Sequence, residues 1–266
     1  MTASGVITLT TDFGVAAPFA GIMKGVILER FAAARIVDIT HEVKAYWPAE
    51  AGFWLARSFA YFAPGTVHVA VVDPGVGTAR GILAVSAGGH LFLAPDNGLL
   101  GLLLAAHADA EVVRLSALAA ARFGLARISS TFHGRDLFAP VAAALAAGGL
   151  TLAGLGEPAG AWVPFPVAPP AVAAGSVSGV VMAIDRFGNL ISNIDAALVA
   201  AVARPYVTAG RITVPLARTY GEVPSGEFLA LINSFGVLEV ARSQGHAAAD
   251  LGLDCGAPME VHGGPR

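Results

Sequence analysis

The sequence predicts an α/β protein in two parts. An N-terminal sandwich-like α/β domain with a largely parallel sheet is expected over residues 1–165, and a smaller all-β barrel domain over 176–266, with 166–175 as a linker. Three observations carry this. Through the first part, apolar strand-like runs alternate with stretches of helical spacing, the pattern of a sheet covered by helices. The stretch "PFPVAPPAVAAG" (164–175) is uncharged and rich in proline and alanine, as linkers are. Beyond it come only short β-rich pieces divided by turns of glycine and proline.

Taken in order, "GVITLT" reads as a strand, and "PFAGIMKGVILERF" as a helix with Pro18 in its first turn. "RIVDIT" is a strand, "PAEAGFWLARSFAYF" a helix and "TVHVAVVD" a buried strand. "GILAVSA" and "HLFLAPD" form a strand pair around Gly88-Gly89. "NGLLGLLLAAH" and "DLFAPVAAALAAG" read as helices. In the second part "SVSGVVMAID", "NLISNI", "RITVPLA", "EFLALINS" and "VLEVARS" are strands. No internal repeat of fixed period is visible.

Composition narrows the function classes. With 55% hydrophobic and 13% charged residues, the chain of 266 can bury a large core. A net charge of -3 gives no basic footprint for nucleic acid. The one cysteine, Cys255, excludes an internal disulfide framework and a four-cysteine zinc site. "MTASGVITLT" lacks the basic stretch of a secretory leader, so a cytoplasmic setting is expected. The uncharged stretch 137–156 is long enough to span a bilayer, but its glycines and alanines favour a buried helix followed by a loop.

Chemistry gathers at a few turns. "VVDPGVGTAR" (71–80) looks like a strand feeding a phosphate loop, yet Arg80 stands where a dinucleotide fingerprint has its third glycine, and the lysine of a P-loop is missing. As a plain glycine turn it is unexceptional. What distinguishes it is Asp73 at the carboxyl end of a strand, where open α/β sheets bind ligands, with Arg80 within reach. In "TDFG" (11–14), Asp12 ends the first strand; it is a turn cap or an acceptor for ribose hydroxyls. "PDNG" (95–98) is ambiguous: Asp96 is another acid at a strand end or simply a cap for the next helix. "STFHGRD" (130–136) sets His133 in a polar cluster before a helix, as a structural residue or an acid–base group. A metal on His133 and Asp136 lacks a ligand set. "IDRFGNLISNI" and "LINSFGVLEVA" concentrate amides, hydroxyls and carboxylates around Phe-Gly, as β-turns or as a site for a polar small molecule.

In series, "TDFG", "PFAGIMKGVI", "VDPGVGTAR", "APDNGLL", "TFHGRDLFAPVAA", "DRFGNLISNI" and "NSFGVLEVA" resemble the S-adenosylmethionine hydroxide adenosyltransferases, relatives of fluorinase and chlorinase. The resemblance runs from about Thr8 to about Ala248. It implies hydrolysis of S-adenosylmethionine to adenosine and methionine, with no cofactor and no metal. It also implies a homotrimer whose sites lie between one subunit's N-terminal domain and its neighbour's C-terminal domain. Carried over by position, the catalytic set is Asp73, Arg80 and His133. Substrate binding falls to Asp12, Asp73, Asn189, Ser234, Glu239 and the backbone of Arg242. Asp185 matches an acidic residue that holds the methionine amino group in the halogenase branch, and Tyr220 an aromatic that packs on adenine.

The loop's missing lysine then makes sense, because S-adenosylmethionine has no phosphate. The expected chemistry is displacement at C5′ of an already activated sulfonium, with water aligned opposite the C5′–sulfur bond. His133 or Asp73 takes the proton. A halogenase is the nearest alternative, set back by the Asp–Arg–His set; a non-catalytic adenosine or S-adenosylmethionine sensor is the other.

Overall fold

A computed structural model describes residues 2–264. The chain forms two compact units that divide in sequence between Val167 and Ala168.

The first unit is built on seven strands: β1 (Val6–Thr11), β2 (Arg35–Thr40), β3 (Val67–Val71), β4 (Ile82–Ala87), β5 (His90–Pro95), β6 (Glu111–Leu115) and β7 (Gly156–Pro158). They lie in the order β2-β1-β3-β5-β4-β6-β7. Alternate side chains go to opposite faces, as strand geometry requires. Val67, Val69 and Val71 join one apolar cluster with helices α1 (Phe19–Arg30) and α5 (Ala139–Ala146). Ala70 and Val72 join the other, with α2 (Pro48–Ser58) and α3 (Gly101–Ala106). The sheet is thus buried on both faces. A further helix, α4 (Ala117–Phe123), precedes the segment that carries His133.

The expectation of a largely parallel sheet needs correction. Pairs β1/β2, β1/β3 and β3/β5 are parallel, whereas β4/β5, β4/β6 and β6/β7 are antiparallel. The sheet is mixed. The cause is the Gly88-Gly89 turn, with φ of 54° and 82°: two residues can reverse a chain but cannot carry it back for a parallel return.

Residues 137–156 break into the buried helix α5 and a following loop that ends in one short helical turn. Among the described residues no helix is long and apolar enough to cross a membrane.

The second unit holds β8 (Ala171–Ala173), β9 (Ser176–Ile184), β10 (Leu190–Asp195), β11 (Pro205–Ala209), β12 (Ile212–Pro215), β13 (Phe228–Ile232), β14 (Val237–Arg242) and β15 (Pro258–Gly263). The order is β12-β11-β15-β9-β10-β14-β13, with β8 on β9, so part of the proline- and alanine-rich stretch is itself strand. The sheet is antiparallel and nearly closed on itself. Its ends approach where the Ala217 N–H donates to the Ala230 carbonyl at 2.8 Å. Val181, Leu190, Val207, Leu238, Val240 and Val261 fill its interior.

Candidate active site

The parallel register sets the first group of residues. Thr11 of β1 pairs with Val71 of β3, so Asp12 and Asp73 emerge together at the carboxyl edge of adjacent strands. That edge is where α/β sheets hold ligands. A cleft of about 310 Å³ opens there, lined by Asp12, Asp73, Val76 and His133 and walled by Phe13, Phe19 and Phe132.

The loop after β3 brings in Arg80. Val76 N–H bonds to the Asp73 carbonyl and Thr78 N–H to the Gly75 carbonyl, at 3.2 Å each, a tight double turn. Gly77 has φ of 77°, and a Cβ there would sit 2.1 Å from the Ser130 carbonyl oxygen. Only glycine lets this loop seat against the 129–133 segment. The result is a continuous chain of polar contacts. Arg80 Nε donates to Asp73 Oδ1 at 3.0 Å and Oδ2 at 2.8 Å, and Nη2 also reaches Oδ2. Nη2 further donates to His133 Nδ1 at 2.9 Å. Guanidinium has no acceptor, so Nδ1 must carry the lone pair. His133 is therefore the neutral Nε2–H tautomer here. Burial, then the Arg80 charge, holds its pKa below the usual histidine value, against the opposing pull of Asp73 and Asp136.

The segment bearing His133 is fixed from beneath. Asp136 is fully buried. It accepts from Ser129 N–H at 2.7 Å, Ser129 Oγ at 2.6 Å and Arg135 Nε at 2.6 Å. Burial raises its pKa, but the Arg135 and Ser129 bonds outweigh that and hold it below the ordinary range. A π-helical turn, Gly134–Phe138, follows His133 directly; such turns recur at functional sites. Asp136 thus orders a loop, and among the described residues no group of three or more His, Cys, Asp or Glu side chains is arranged to hold a metal.

Asp12 accepts the Tyr46 backbone N–H at 3.0 Å. Its pKa is raised, first by burial and lastly by the Asp73 charge, with the Tyr46 bond opposing. Tyr46 itself has φ of 63°, unusual for a side chain of its size. Asp96 does not cap a helix: it accepts from Val163 N–H at 2.8 Å and pairs with Arg114 at 2.9 Å.

The second unit gathers a separate group. Asp185 Oδ1 accepts from Phe187 and Asn189 N–H, and its Oδ2 from Asn189 Nδ2, all at 2.9 Å. Glu239, which lies opposite Ile191 in the ladder, is 2% exposed. It accepts from Tyr220 Oη at 2.6 Å and Asn233 Nδ2 at 3.0 Å. Burial first, with the Asp185 charge adding, raises its pKa despite these bonds. Tyr220 is pushed up as well, first by burial and then by Glu239. Ser234 is exposed in the turn after β13. The Arg242 side chain turns away to Asp250 at 2.7 Å and the Gly226 carbonyl at 2.7 Å, leaving its backbone in the β13/β14 ladder.

Sequence reasoning missed Phe13, Phe19, Phe132, Tyr46 and Asn233. The phenylalanines look like ordinary core residues in sequence. Tyr46 reaches Asp12 only through tertiary folding. Asn233 had a signal: it begins "NSFG" as Asp185 begins "DRFG".

A carboxylate–guanidinium–imidazole chain at the carboxyl edge of an α/β sheet, beside an apolar cleft, defines a small-molecule site with enzyme-like groups. The particular kind follows from comparison. Residues 7–156 match the SAM hydroxide adenosyltransferase N-terminal domain and 179–260 its C-terminal domain, so the chain belongs to the SAM hydroxide adenosyltransferase family. It is 39% identical to the (R)-S-adenosyl-L-methionine hydrolase of Salinispora arenicola, over 97% of this chain and 98% of that one. The hydrolase of the same name from Thermus thermophilus is 38% identical over 94% and 97%. A fluorinase from Actinoplanes sp. stands further off, at 26% over 96% and 97%. The crystal structure of an uncharacterised conserved protein from Thermotoga maritima superposes with a TM-score of 0.88 at 34% identity, covering 96% of this chain and 99% of that one.

Proposed function

We propose that this protein hydrolyses S-adenosyl-L-methionine to adenosine and L-methionine by attack of water at C5′. The observation that carries the reading is the Asp73–Arg80–His133 chain beside the cleft. Water adds to C5′ as the C5′–sulfur bond breaks; the electron pair stays on sulfur, methionine leaves as a neutral thioether, and water's proton is lost. No cofactor is called for, because the sulfonium is already an activated leaving group.

In this scheme Asp73 is the proton acceptor. The lone pair of His133 Nδ1 is taken up by Arg80, so the imidazole holds the guanidinium rather than the water. Arg80 in turn fixes the carboxylate by a fork-like contact, which favours one orientation. Asp12 accepts from the ribose hydroxyls. Asp185, Asn189, Ser234, Tyr220 and Glu239, with the Arg242 backbone, contribute the remaining contacts to adenosine and to the methionine amino group. The active form is a homotrimer in which more than one subunit contributes to each site. A cytoplasmic setting fits a chain with one cysteine and hence no internal disulfide.

The test is to incubate the protein with each sulfur diastereomer of S-adenosyl-L-methionine in oxygen-18 water, with and without chloride or fluoride. Adenosine labelled at the 5′ oxygen is expected, and the (R) form, named in the relatives, is the first to try. Faster formation of a 5′-halo-nucleoside overturns hydrolysis in favour of halogenation. Tight binding without turnover of either diastereomer leaves a sensor.

A further inference from the structure

We propose that Phe13 and Phe19 recognise the positive sulfur, and that they make the site prefer a charged sulfonium to a neutral thioether. This rests on the S-adenosylmethionine reading above. A trialkyl sulfonium has no hydrogen to donate. It can be held only by an anion, by oxygen lone pairs or by the face of an aromatic ring. The anions of the cleft are committed. Asp73 is paired with Arg80 and is assigned to the proton of the attacking water, and Asp12 bonds to Tyr46 and is assigned to ribose. Arg80 itself repels a cation from that end.

The built feature of the cleft suited to a cation is the aromatic wall, beside the side-chain hydroxyl of Thr131. Phe13, Phe19 and Phe132 pack edge-to-face, with centroids 5.9 Å apart for Phe13–Phe19 and Phe13–Phe132, and 5.3 Å for Phe19–Phe132. Phe132 already carries the Arg135 guanidinium 5.2 Å from its centroid. Within this packed trio Phe13 and Phe19 are the rings open to the ligand, with Phe132 as their support; Tyr46 also lines the cleft but is 76% exposed and lies outside the trio. Phe19 is 45% exposed although it lies in an aromatic cluster at the cleft. The arrangement has a consequence for turnover. When C5′–sulfur cleavage leaves its electron pair on sulfur, the charge vanishes, and with it the attraction that held the methionine half.

The experiment compares inhibition constants of two unreactive analogues. Sinefungin bears an ammonium group in place of the sulfonium, and S-adenosylhomocysteine a neutral thioether. The wild type should prefer the cation. Phe19→Leu and Phe13→Leu should erase about five- to thirty-fold of that preference, on the scale of cation–π contacts. Phe19→Tyr should keep it, because the ring remains. Leu variants that weaken both analogues equally, or neither, overturn the proposal, as does loss of the preference in Phe19→Tyr. Adenosine affinity separates the two levels of inference. If the wild type binds adenosine and both analogues but the ratio does not move, only the aromatic assignment fails. If it binds none of them, the S-adenosylmethionine reading fails and takes this one with it.

Discussion

Arg80 stands between two partners, donating through Nη2 to His133 Nδ1 at 2.9 Å while its Nε and Nη2 fork the Asp73 carboxylate. The contact settles the direction of the chain. An arginine only donates, so His133 supports Arg80, and Arg80 supports Asp73. The three residues are one device, with the carboxylate as the end that meets water in the proposed reaction.

That order ranks two substitutions. Asp73→Asn keeps the shape but removes the proton acceptor, and kcat should fall by about 10²–10⁴, the usual range for acid–base catalysis. His133→Ala releases Arg80 without removing the acceptor, so its loss should be at least tenfold smaller. Steady-state kinetics on the two variants checks this. A larger loss in His133→Ala would return the base to histidine.

Asp12 has two duties, one seen and one proposed. It holds the Tyr46 N–H at 3.0 Å, and it is the candidate ribose acceptor. Asp12→Asn keeps acceptor capacity for Tyr46 but removes the charge that strengthens bonds to both hydroxyls. Charge-assisted hydrogen bonds contribute about 1.5–3 kcal/mol, so adenosine affinity should drop roughly tenfold or more. Calorimetry that finds it unchanged removes Asp12 from the site.

Much of this is legible in the sequence. Asp12 and Asp73 announced themselves as carboxylates at strand ends, because a buried strand that stops on an acid leaves it at the sheet's edge. The Gly88-Gly89 hairpin was legible as a strand pair, and it already contradicted a largely parallel sheet; the βα alternation around it masked the conflict. The Phe13–Phe19–Phe132 wall could not be read, since a phenylalanine in a core and one beside a cleft share the same local pattern. Nor could the tautomer of His133. It depends on a partner 53 residues away, and on a glycine at 77 whose necessity is set by the Ser130 carbonyl.

Gly77 makes that last dependence testable. Alanine there meets both a φ of 77° and a carbonyl 2.1 Å from its Cβ. The strain exceeds the roughly 0.4–1 kcal/mol that glycine-to-alanine changes gain at compatible sites, and has the opposite sign. The relief available is for the loop to lift off the 129–133 segment, which separates Arg80 from His133. Gly77→Ala should therefore lose activity on the scale of the catalytic variants while its melting temperature falls only by a few degrees. Full activity would mean that the loop's seat on Ser130 does not matter to the chemistry.

A final prediction concerns acid stability, and it comes from the opposite end of the first unit's polar core. His68 is fully buried. Its Nδ1 meets Thr8 Oγ1 at 2.8 Å and its Nε2 meets His90 Nδ1 at 3.2 Å, with the ring stacked on Phe92 at 5.0 Å. Burial, helped by His90, pushes its pKa down to about 3 from an ordinary 6.5. The neutral ring is thus the form the fold accepts. Above pH 6.5 both folded and unfolded chains hold it neutral, and its contribution is fully present. As pH falls from 6.5 towards 3 the unfolded chain takes up a proton that the folded one refuses, so stability declines by roughly 1 kcal/mol per pH unit. His90, also lowered by burial, acts in the same sense. The raised carboxylates Asp12 and Glu239 act in the opposite one. Comparison with His68→Gln cancels everything but the histidine. Urea midpoints at pH 7, 6, 5 and 4 should fall steeply for the wild type and more shallowly for His68→Gln. Parallel slopes would show that buried His68 does not govern acid unfolding.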